Sequence, residues 1–144
     1  MIKERIRMMN QAINNTIASY SVLARKQGLS YNALMVLYFL EDNEKSTQQN
    51  ICDTLQLPKS TVHSILLDFV KKGYMTLQTT VENRKEKIIF ITDRGKEYLQ
   101  TILEPVHNAE SRTMERLGNE LCSQLIVSNK AFCEIFSQEV ENEA

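Results

Sequence analysis

The feature that most constrains this sequence is a change of hydrophobic period in its middle third. Between residues 46 and 72 the apolar side chains recur at helical spacing, whereas between residues 74 and 91 they alternate. The connection 56–59, which contains Pro58, divides the helical part into a short helix and a longer one. The alternating part is rich in β-branched and aromatic residues and predicts a hairpin with strands at 74–78 and 87–91. This order is that of a helix-turn-helix followed by a wing.

Signals at the ends of these segments support the division. Ser46 and Gln49 match the Ser-x-x-Gln capping box and predict the start of the short helix, which runs to about Leu55. Gly73 supplies a stop for the longer helix, and Thr92 is placed to cap a further one. The apolar stripe of the longer helix consists of Val62, Ile65, Leu66, Phe69 and Val70.

Helical patterns flank this central region on both sides. An amphipathic helix is predicted over 2–25, with a stop at Gly28, and Ser30 is placed to cap a buried helix from Tyr31 to about Leu40. After Thr92 a helix is expected to be bent or interrupted by Pro105. A last helix, from about Asn119 to Val140, is predicted to bury Leu121, Leu125, Ile126, Phe132, Ile135 and Phe136. The predicted fold class is mainly α with a small β-hairpin wing (α+β), a winged helix-turn-helix with additional N- and C-terminal helices.

Composition favours a globular protein without a membrane span. The 144 residues are 42% hydrophobic and 24% charged, and no apolar run is long enough for a transmembrane helix. The first ten residues carry charges and lack the apolar region of a signal peptide. We therefore expect a cytoplasmic protein.

Charge is unevenly distributed along the chain. The formal net charge is −1, but residues 45–98 hold nine basic and six acidic side chains, whereas residues 99–144 hold three basic and eight acidic ones. A basic middle region on an otherwise acidic chain indicates a local surface for nucleic acid.

The candidate DNA contacts come from two segments. The second helix of a helix-turn-helix enters the major groove with its N-terminal residues toward the bases, and a wing reaches an adjacent minor groove. Short hydrogen-bonding groups and cations are suited to these contacts. The residues predicted to serve are Lys59, Ser60, Thr61, His63 and Ser64 in the helix and Arg84, Lys85 and Lys87 in the wing.

The stretch LPKSTVHSILLDFVKKGYM followed by ENRKEKIIFITDRGKEYL resembles the MarR family of transcriptional regulators. The shared features are a serine-threonine start to the recognition helix, a Lys-Lys-Gly exit, a charged wing and a Leu-Thr-x-x-Gly-like strand end, here the sequence from Ile91 to Gly95. Leu29-Ser30 before an apolar helix and the sequence Leu103-Glu104-Pro105 are also similar to the family. The specific motifs lie within residues 46–95.

The resemblance implies a single MarR-like domain with a winged helix-turn-helix lobe at 28–98 and dimerisation helices at 1–27 and 99–144. It implies a homodimeric repressor that binds a palindromic operator in double-stranded DNA and is released by a small-molecule ligand or by thiol oxidation. The family's wing carries an Asp-x-Arg pair. Counting back from Thr92 places this pair on Asn83 and Lys85, and a one-residue shift places it on Glu82 and Arg84. Both registers stay open.

The sensor is less clearly marked in the sequence. A ligand pocket between the dimerisation helices and the DNA-binding lobe is the resemblance's implied site, although core packing accounts equally well for most of its candidate residues. These are Met9, Tyr20, Tyr31, Met35, Tyr38 and Phe39. The three cysteines, Cys52, Cys122 and Cys133, are interpreted first as small buried hydrophobes, with redox activity as the alternative.

Other chemistry is not indicated. His63 is assigned to the recognition helix and His107 has only Glu110 at helical spacing, so no metal site and no cofactor are expected. With four glycines the chain has no phosphate-binding loop, and it has no nucleophile elbow, so an enzyme is not expected. A winged helix that serves as a protein-interaction module is the remaining alternative.

Overall fold

The computed structural model describes residues 1–82 and 84–143 and, within them, six helices and one two-stranded sheet. The predicted fold class is confirmed. The chain divides into two compact units, Met1–Val106 and His107–Ala144. In chain order the elements are α1 (Ile2–Lys26), α2 (Tyr31–Asp42), α3 (Gln48–Leu55), α4 (Lys59–Lys71), β1 (Met75–Gln78), β2 (Ile88–Ile91), α5 (Asp93–Leu117) and α6 (Asn119–Asn142).

The core of the first unit is built around α2. Its apolar residues on several faces are inaccessible to solvent, as the sequence predicts for a helix with little polar surface. Ser30 caps α2 as predicted, because its hydroxyl oxygen accepts a hydrogen bond from the amide of Ala33 at 3.1 Å. The buried side chains of this core include Leu34, Val36, Leu37 and Leu40 from α2, Ile51 from α3, Val62, Leu66 and Phe69 from α4, Met75 and Ile89 from the sheet, and Leu103 from α5.

The hairpin is held to the helix-turn-helix by backbone hydrogen bonds. β1 and β2 pair antiparallel in a register that places Met75 opposite Ile91. The outer edge of β2 then pairs with the residues before α3: the amide of Ile89 donates to the carbonyl oxygen of Ser46 at 2.8 Å, and Thr47 forms an isolated bridge with Ile88. Backbone pairing therefore fixes the base of the wing relative to the start of α3.

The junction between β2 and α5 explains the Thr-x-x-Gly motif. The hydroxyl of Thr92 donates to the carbonyl oxygen of Gly73 at 2.8 Å and accepts from the amide of Gly95 at 3.0 Å. A Cβ atom added at Gly95 would collide with the carbonyl oxygen of Tyr74. The rings of Tyr74 and Tyr98 stack beside this contact, with centroids 3.9 Å apart. Threonine is therefore needed here for the cap and glycine for the close approach of the backbones.

The terminal helices differ from expectation in two places. Of the two effects expected of Pro105, a bend or an interruption, the interruption is wrong, because α5 continues through Pro105 over 25 residues. A proline ring removes one amide donor, but the flanking Ile102, Leu103 and Val106 are buried, and their packing maintains the helix. Helix α6 buries none of its residues: Leu121, at 52%, and Phe136, at 57%, are among its exposed side chains. An amphipathic pattern predicts which face of a helix is apolar. It does not predict whether another part of the same chain covers that face.

None of the helices in the part of the chain that the structure describes is long and apolar enough to cross a membrane.

The close approach at Gly95 predicts the sign of a stability change. Replacing glycine by alanine inside a helix normally stabilises it, by up to about 1 kcal/mol. We expect Gly95→Ala instead to lower the free energy of unfolding by about 1–3 kcal/mol, because the new methyl group overpacks against Tyr74. Urea denaturation measures the change, with exposed Lys96→Ala in the next position as the control. A Gly95→Ala protein as stable as the wild type would show that the two backbones separate at little cost.

Candidate nucleic-acid interface

The start of α3 is fixed by a capping box one residue later than the sequence indicated. The hydroxyl of Thr47 accepts from the amide of Asn50 at 3.1 Å, and the side chain of Asn50 accepts from the amide of Thr47 at 2.9 Å. The predicted box of Ser46 and Gln49 is therefore wrong. Ser46 is engaged elsewhere, because its hydroxyl donates to the carbonyl oxygen of Asn43 at 2.7 Å and its carbonyl pairs with the wing. Gln49 donates to Asp53 on its own helix.

The turn between α3 and α4 places the start of α4 at the surface. Gln56 adopts a left-handed conformation, with φ at 54°, and Pro58 is the N-cap residue of α4. On the inner side, Val62 and Leu66 are fully buried. The outer side carries the predicted contacts: Lys59, Ser60, His63 and Ser64 are exposed and Thr61 is half-buried.

The structure brings the start of α4 and the wing together around one cavity of about 300 Å³. We name this cavity the recognition groove. Lys59 and His63 line it from α4, and Lys85 and Lys87 line it from the wing segment. These four predicted residues therefore share one surface. The remaining lining residues are Gln48, Gln49, Leu66, Leu67, Leu77 and Glu86.

The other predicted contacts do not line the recognition groove. Ser64 lines a different cavity, of about 230 Å³, that includes Gly28 and Lys72. Ser60 lies one helical turn before Ser64 on α4 and so belongs to the same row of side chains. The N-terminal half of α4 therefore presents two rows: Lys59 and His63 toward the wing, and Ser60 and Ser64 away from it.

The wing tip is exposed, and its register stays a prediction. Asn83, which belongs to one of the two alternative pairs for the family's Asp-x-Arg positions, lies outside the described residues. Glu82, Arg84 and Lys85 are all exposed. Arg84 does not line the recognition groove, whereas Lys85 does.

Gln48 lines the recognition groove but was not predicted from the sequence. Its side-chain oxygen lies 3.1 Å from Nδ1 of His63, and its side-chain nitrogen lies 3.5 Å from the carbonyl oxygen of Lys59. Gln48 is the first residue of α3 and lies fifteen positions before His63. No local period connects these positions, and only the angle of the helix-turn-helix brings them together.

Two side chains outside the recognition groove have shifted ionisations, and neither shift changes its charge at neutral pH. Lys72 donates to Asp68 at 2.9 Å, and this hydrogen bond raises the pKa of the lysine above its ordinary 10.5. Burial raises the pKa of Tyr98 above 10.0. Since both shifts are upward from alkaline values, Lys72 stays cationic and Tyr98 stays neutral around pH 7.

The candidate sensor residues occupy varied environments. Tyr20, Met35, Tyr38 and Phe39 are half-buried and pack against the core, while Met9 and Tyr31 are half-buried outside it. Of the cysteines, only Cys52 is buried as predicted. Cys122 is half-buried and directs its thiol to the carbonyl oxygen of Met114 at 3.3 Å, and Cys133 is exposed. The interpretation of all three cysteines as buried hydrophobes is therefore wrong for Cys133, which lies on the uncovered surface of α6.

His107 and Glu110 contact each other, with 3.1 Å between Nδ1 and the carboxylate oxygen. Within residues 1–82 and 84–143, no three histidine, cysteine, aspartate or glutamate side chains come together in a way that could hold a metal ion.

Comparison with known proteins agrees with this geometry. A family model described as MarR family matches residues 27–86. The regulator SarZ of Staphylococcus epidermidis is 27% identical over 106 residues, which are 72% of each chain. The structure of NMB1585, a MarR family regulator from Neisseria meningitidis, superimposes with a TM-score of 0.83 at 21% identity, over 97% of this chain and 99% of that one. The S. aureus MepR–DNA complex gives 0.69 at 15% identity, over 94% and 98%.

The fold and the groove together define a winged helix-turn-helix protein. The sequence comparison is more specific: residues 27–86 match the model of the MarR family, and the resemblance seen in the sequence is confirmed. SarZ and NMB1585 are both named as regulators.

The capping box predicts which substitution destabilises the start of α3. Thr47→Val keeps the shape of the buried side chain but removes the acceptor for the amide of Asn50, so we expect the free energy of unfolding to fall by about 1 kcal/mol. Hydrogen exchange at the Asn50 amide should accelerate. Thr54→Val, near the end of the same helix, is the control. If Gln49→Ala destabilised the protein more than Thr47→Val does, the observed capping box would not be the one that stabilises α3.

Proposed function

We propose that this protein is a homodimeric regulator that binds a palindromic operator in duplex DNA through α4 and the wing. The observation that carries the proposal is the recognition groove, in which Lys59 and His63 of α4 and Lys85 and Lys87 of the wing line one cavity. The likeness to a chain solved as a DNA complex supports DNA as the partner.

Each row of side chains has a suitable partner on DNA. The exposed N-terminal residues of α4 reach base edges in the major groove, with Ser60, Thr61, His63 and Ser64 as the readers and Lys59 on a phosphate. Arg84 and Lys85 of the wing, both exposed, are proposed to contact the adjacent minor groove. Lys87, at the base of the wing, is proposed as a phosphate contact.

Uncovered apolar surfaces support dimerisation through the terminal helices. In the first unit, α1 exposes Ile6, Ile13 and Ile17. In the second unit, α6 exposes a longer row of apolar side chains: Leu121, Leu125, Ile126, Phe132, Ile135, Phe136 and Val140. Soluble monomers rarely expose apolar surface of this extent. We therefore propose 28–98 as the DNA-binding lobe and 1–27 and 99–144 as the dimerisation helices. A two-fold dimer then accounts for a palindromic site.

Regulation is the finer part of the proposal. We propose repression that is relieved by a small molecule bound near Met9, Tyr20, Tyr31, Met35, Tyr38 and Phe39. Half-burial of all six supports this, because such residues offer apolar contact that solvent can still reach. Thiol oxidation is the second candidate, and the exposure of Cys133 favours it.

The DNA-binding proposal predicts specific, salt-dependent affinity. Fluorescence anisotropy with DNA from upstream of the protein's own gene, at two salt concentrations, should show binding that an unrelated duplex lacks. Each cation that contacts a phosphate adds about one to the slope of log affinity against log salt. We therefore expect Lys59→Ala to reduce the slope by about one, and Arg84→Ala with Lys85→Ala to reduce both slope and affinity.

Lys71→Ala is the matched control, because this lysine is exposed at the opposite end of α4. An unchanged slope in the Arg84 and Lys85 double variant would remove the wing from the interface. No binding to any duplex at low salt would favour the alternative of a protein-interaction module.

The dimer proposal predicts that one charge on α6 separates the protomers. Leu125→Glu places a carboxylate within the exposed apolar row, so we expect the dimer dissociation constant to rise at least about tenfold. Analytical ultracentrifugation measures it, with circular dichroism to show that the helices persist. Gln124→Glu adds the same charge at the neighbouring exposed position and should leave the dimer intact. A monomeric wild type, or a Leu125→Glu dimer of unchanged affinity, would contradict the proposal.

A further inference from the structure

Gln48 connects the two helices of the helix-turn-helix through its side chain. The amide oxygen contacts Nδ1 of His63 at 3.1 Å, and the amide nitrogen faces the carbonyl oxygen of Lys59 at 3.5 Å. Both partners belong to α4, one at its first residue and one a helical turn later. The three residues line the recognition groove.

The chemistry of these partners favours one orientation of the Gln48 amide. A carbonyl oxygen accepts hydrogen bonds and cannot donate, so only the NH₂ group can form a hydrogen bond, a long one at 3.5 Å, with Lys59. The opposite orientation would place two oxygens against each other. The amide oxygen is thereby directed at His63.

This orientation decides which ring nitrogen of His63 carries a proton. Because an amide oxygen can only accept, Nδ1 must be the donor in the contact with Gln48. A neutral imidazole carries one proton, so Nε2 of the neutral ring is a bare acceptor. His63 is exposed at the major-groove face proposed for α4, and Nε2 is the nitrogen left for DNA.

We propose that Gln48 is a positioning residue that makes neutral His63 an acceptor-type base reader, selective for the exocyclic amino group of adenine or cytosine. In the major groove, adenine N6 and cytosine N4 are the donors, whereas guanine and thymine present acceptors. The inference rests on the proposed function, and it adds the residue that sets base preference at one position.

The same arrangement makes that preference depend on whether the His63 ring is protonated. A protonated ring keeps its Nδ1 donor, and so keeps the contact with Gln48, but its Nε2 also becomes a donor that suits guanine. The charged groups around the ring are Lys59 on its own helix and Lys85, Glu86 and Lys87 on the wing segment, while α3 contributes the uncharged Gln48 and Gln49.

The tautomer is tested first, without DNA. The ¹⁵N chemical shifts of the two ring nitrogens of His63, assigned by comparison with His63→Asn, distinguish a protonated nitrogen from a bare one. At about pH 8 we expect a protonated Nδ1 and a bare Nε2 in the wild type and in Gln100→Leu, and a mixture of tautomers in Gln48→Leu. Gln100 is the matched control, because it is exposed on α5 and does not line the recognition groove. A bare Nδ1 in the wild type would overturn the inference.

Base preference is tested by selection from a random duplex pool at about pH 8 and about pH 5.5. The position that loses its preference in His63→Ala is the one that His63 reads. There we expect the wild type to favour adenine or cytosine about five- to tenfold at the higher pH, which is the value of one hydrogen bond, and to shift toward guanine at the lower pH. Gln48→Leu should lose the preference at that position only, and Gln100→Leu should keep it.

The outcomes separate the inference from the proposed function. A wild type that selects no duplex at either pH overturns the proposed function and the base-reading inference with it, while the ring tautomer stands or falls on the NMR result. A wild type that selects an operator, with the same preference at the His63 position in Gln48→Leu, overturns the inference alone. A preference for guanine at about pH 8 also overturns it.

Discussion

The hydrogen bond from the amide of Ile89 to the carbonyl oxygen of Ser46 links the two sides of the recognition groove. It attaches β2 to the residue before the capping box of α3, so the position of the wing follows the position of the helix-turn-helix. Thr47 adds a bridge to Ile88 and caps α3 with its side chain. Because these bonds involve backbone at the centre of the first unit, the groove between α4 and the wing has a fixed base, while charged and polar side chains at its rim are open to solvent.

The second end of the hairpin is secured by a close backbone approach. Thr92 bonds to Gly73 through its hydroxyl and to Tyr74 through its amide, and Gly95 lies so near Tyr74 that no side chain fits. The hairpin thus has one anchor on α3 and one on α5. This explains why the sequence between the strands can be highly charged. The described residues of the tip are exposed, so they contribute little to the core and their side chains are available for contacts with a partner.

Most of the secondary structure could be predicted from local sequence signals such as helix caps and stops. Ser30 capped α2 and Gly73 followed α4 with a positive φ of 82°, because caps and stops depend on a few neighbouring residues. Local signals failed where two candidates competed. Ser46 and Thr47 can both cap α3, and the wing decided between them by engaging the backbone of Ser46. Pro105 predicted an interruption, but the buried side chains on either side of it outweigh the loss of one helical hydrogen bond.

Some residues of the recognition groove were predicted from the sequence and others were not, and this difference has a physical reason. Outward positions on α4 follow from subtracting the apolar stripe, so Lys59 and His63 were found. That Lys59 and His63 share a groove with Lys85, whereas Ser64 lines a different cavity, depends on the angle between α4 and the hairpin, which periodicity does not contain. The amide of Gln48 became a candidate only when the turn brought it to 3.1 Å from His63. The sequence by itself determined the order of elements, their apolar faces and the basic character of residues 45–98, because these depend on neighbours along the chain. Only the tertiary structure decided which side chains meet across the groove, which capping box forms, and that α6 leaves its apolar row uncovered, because these depend on contacts between residues distant in sequence.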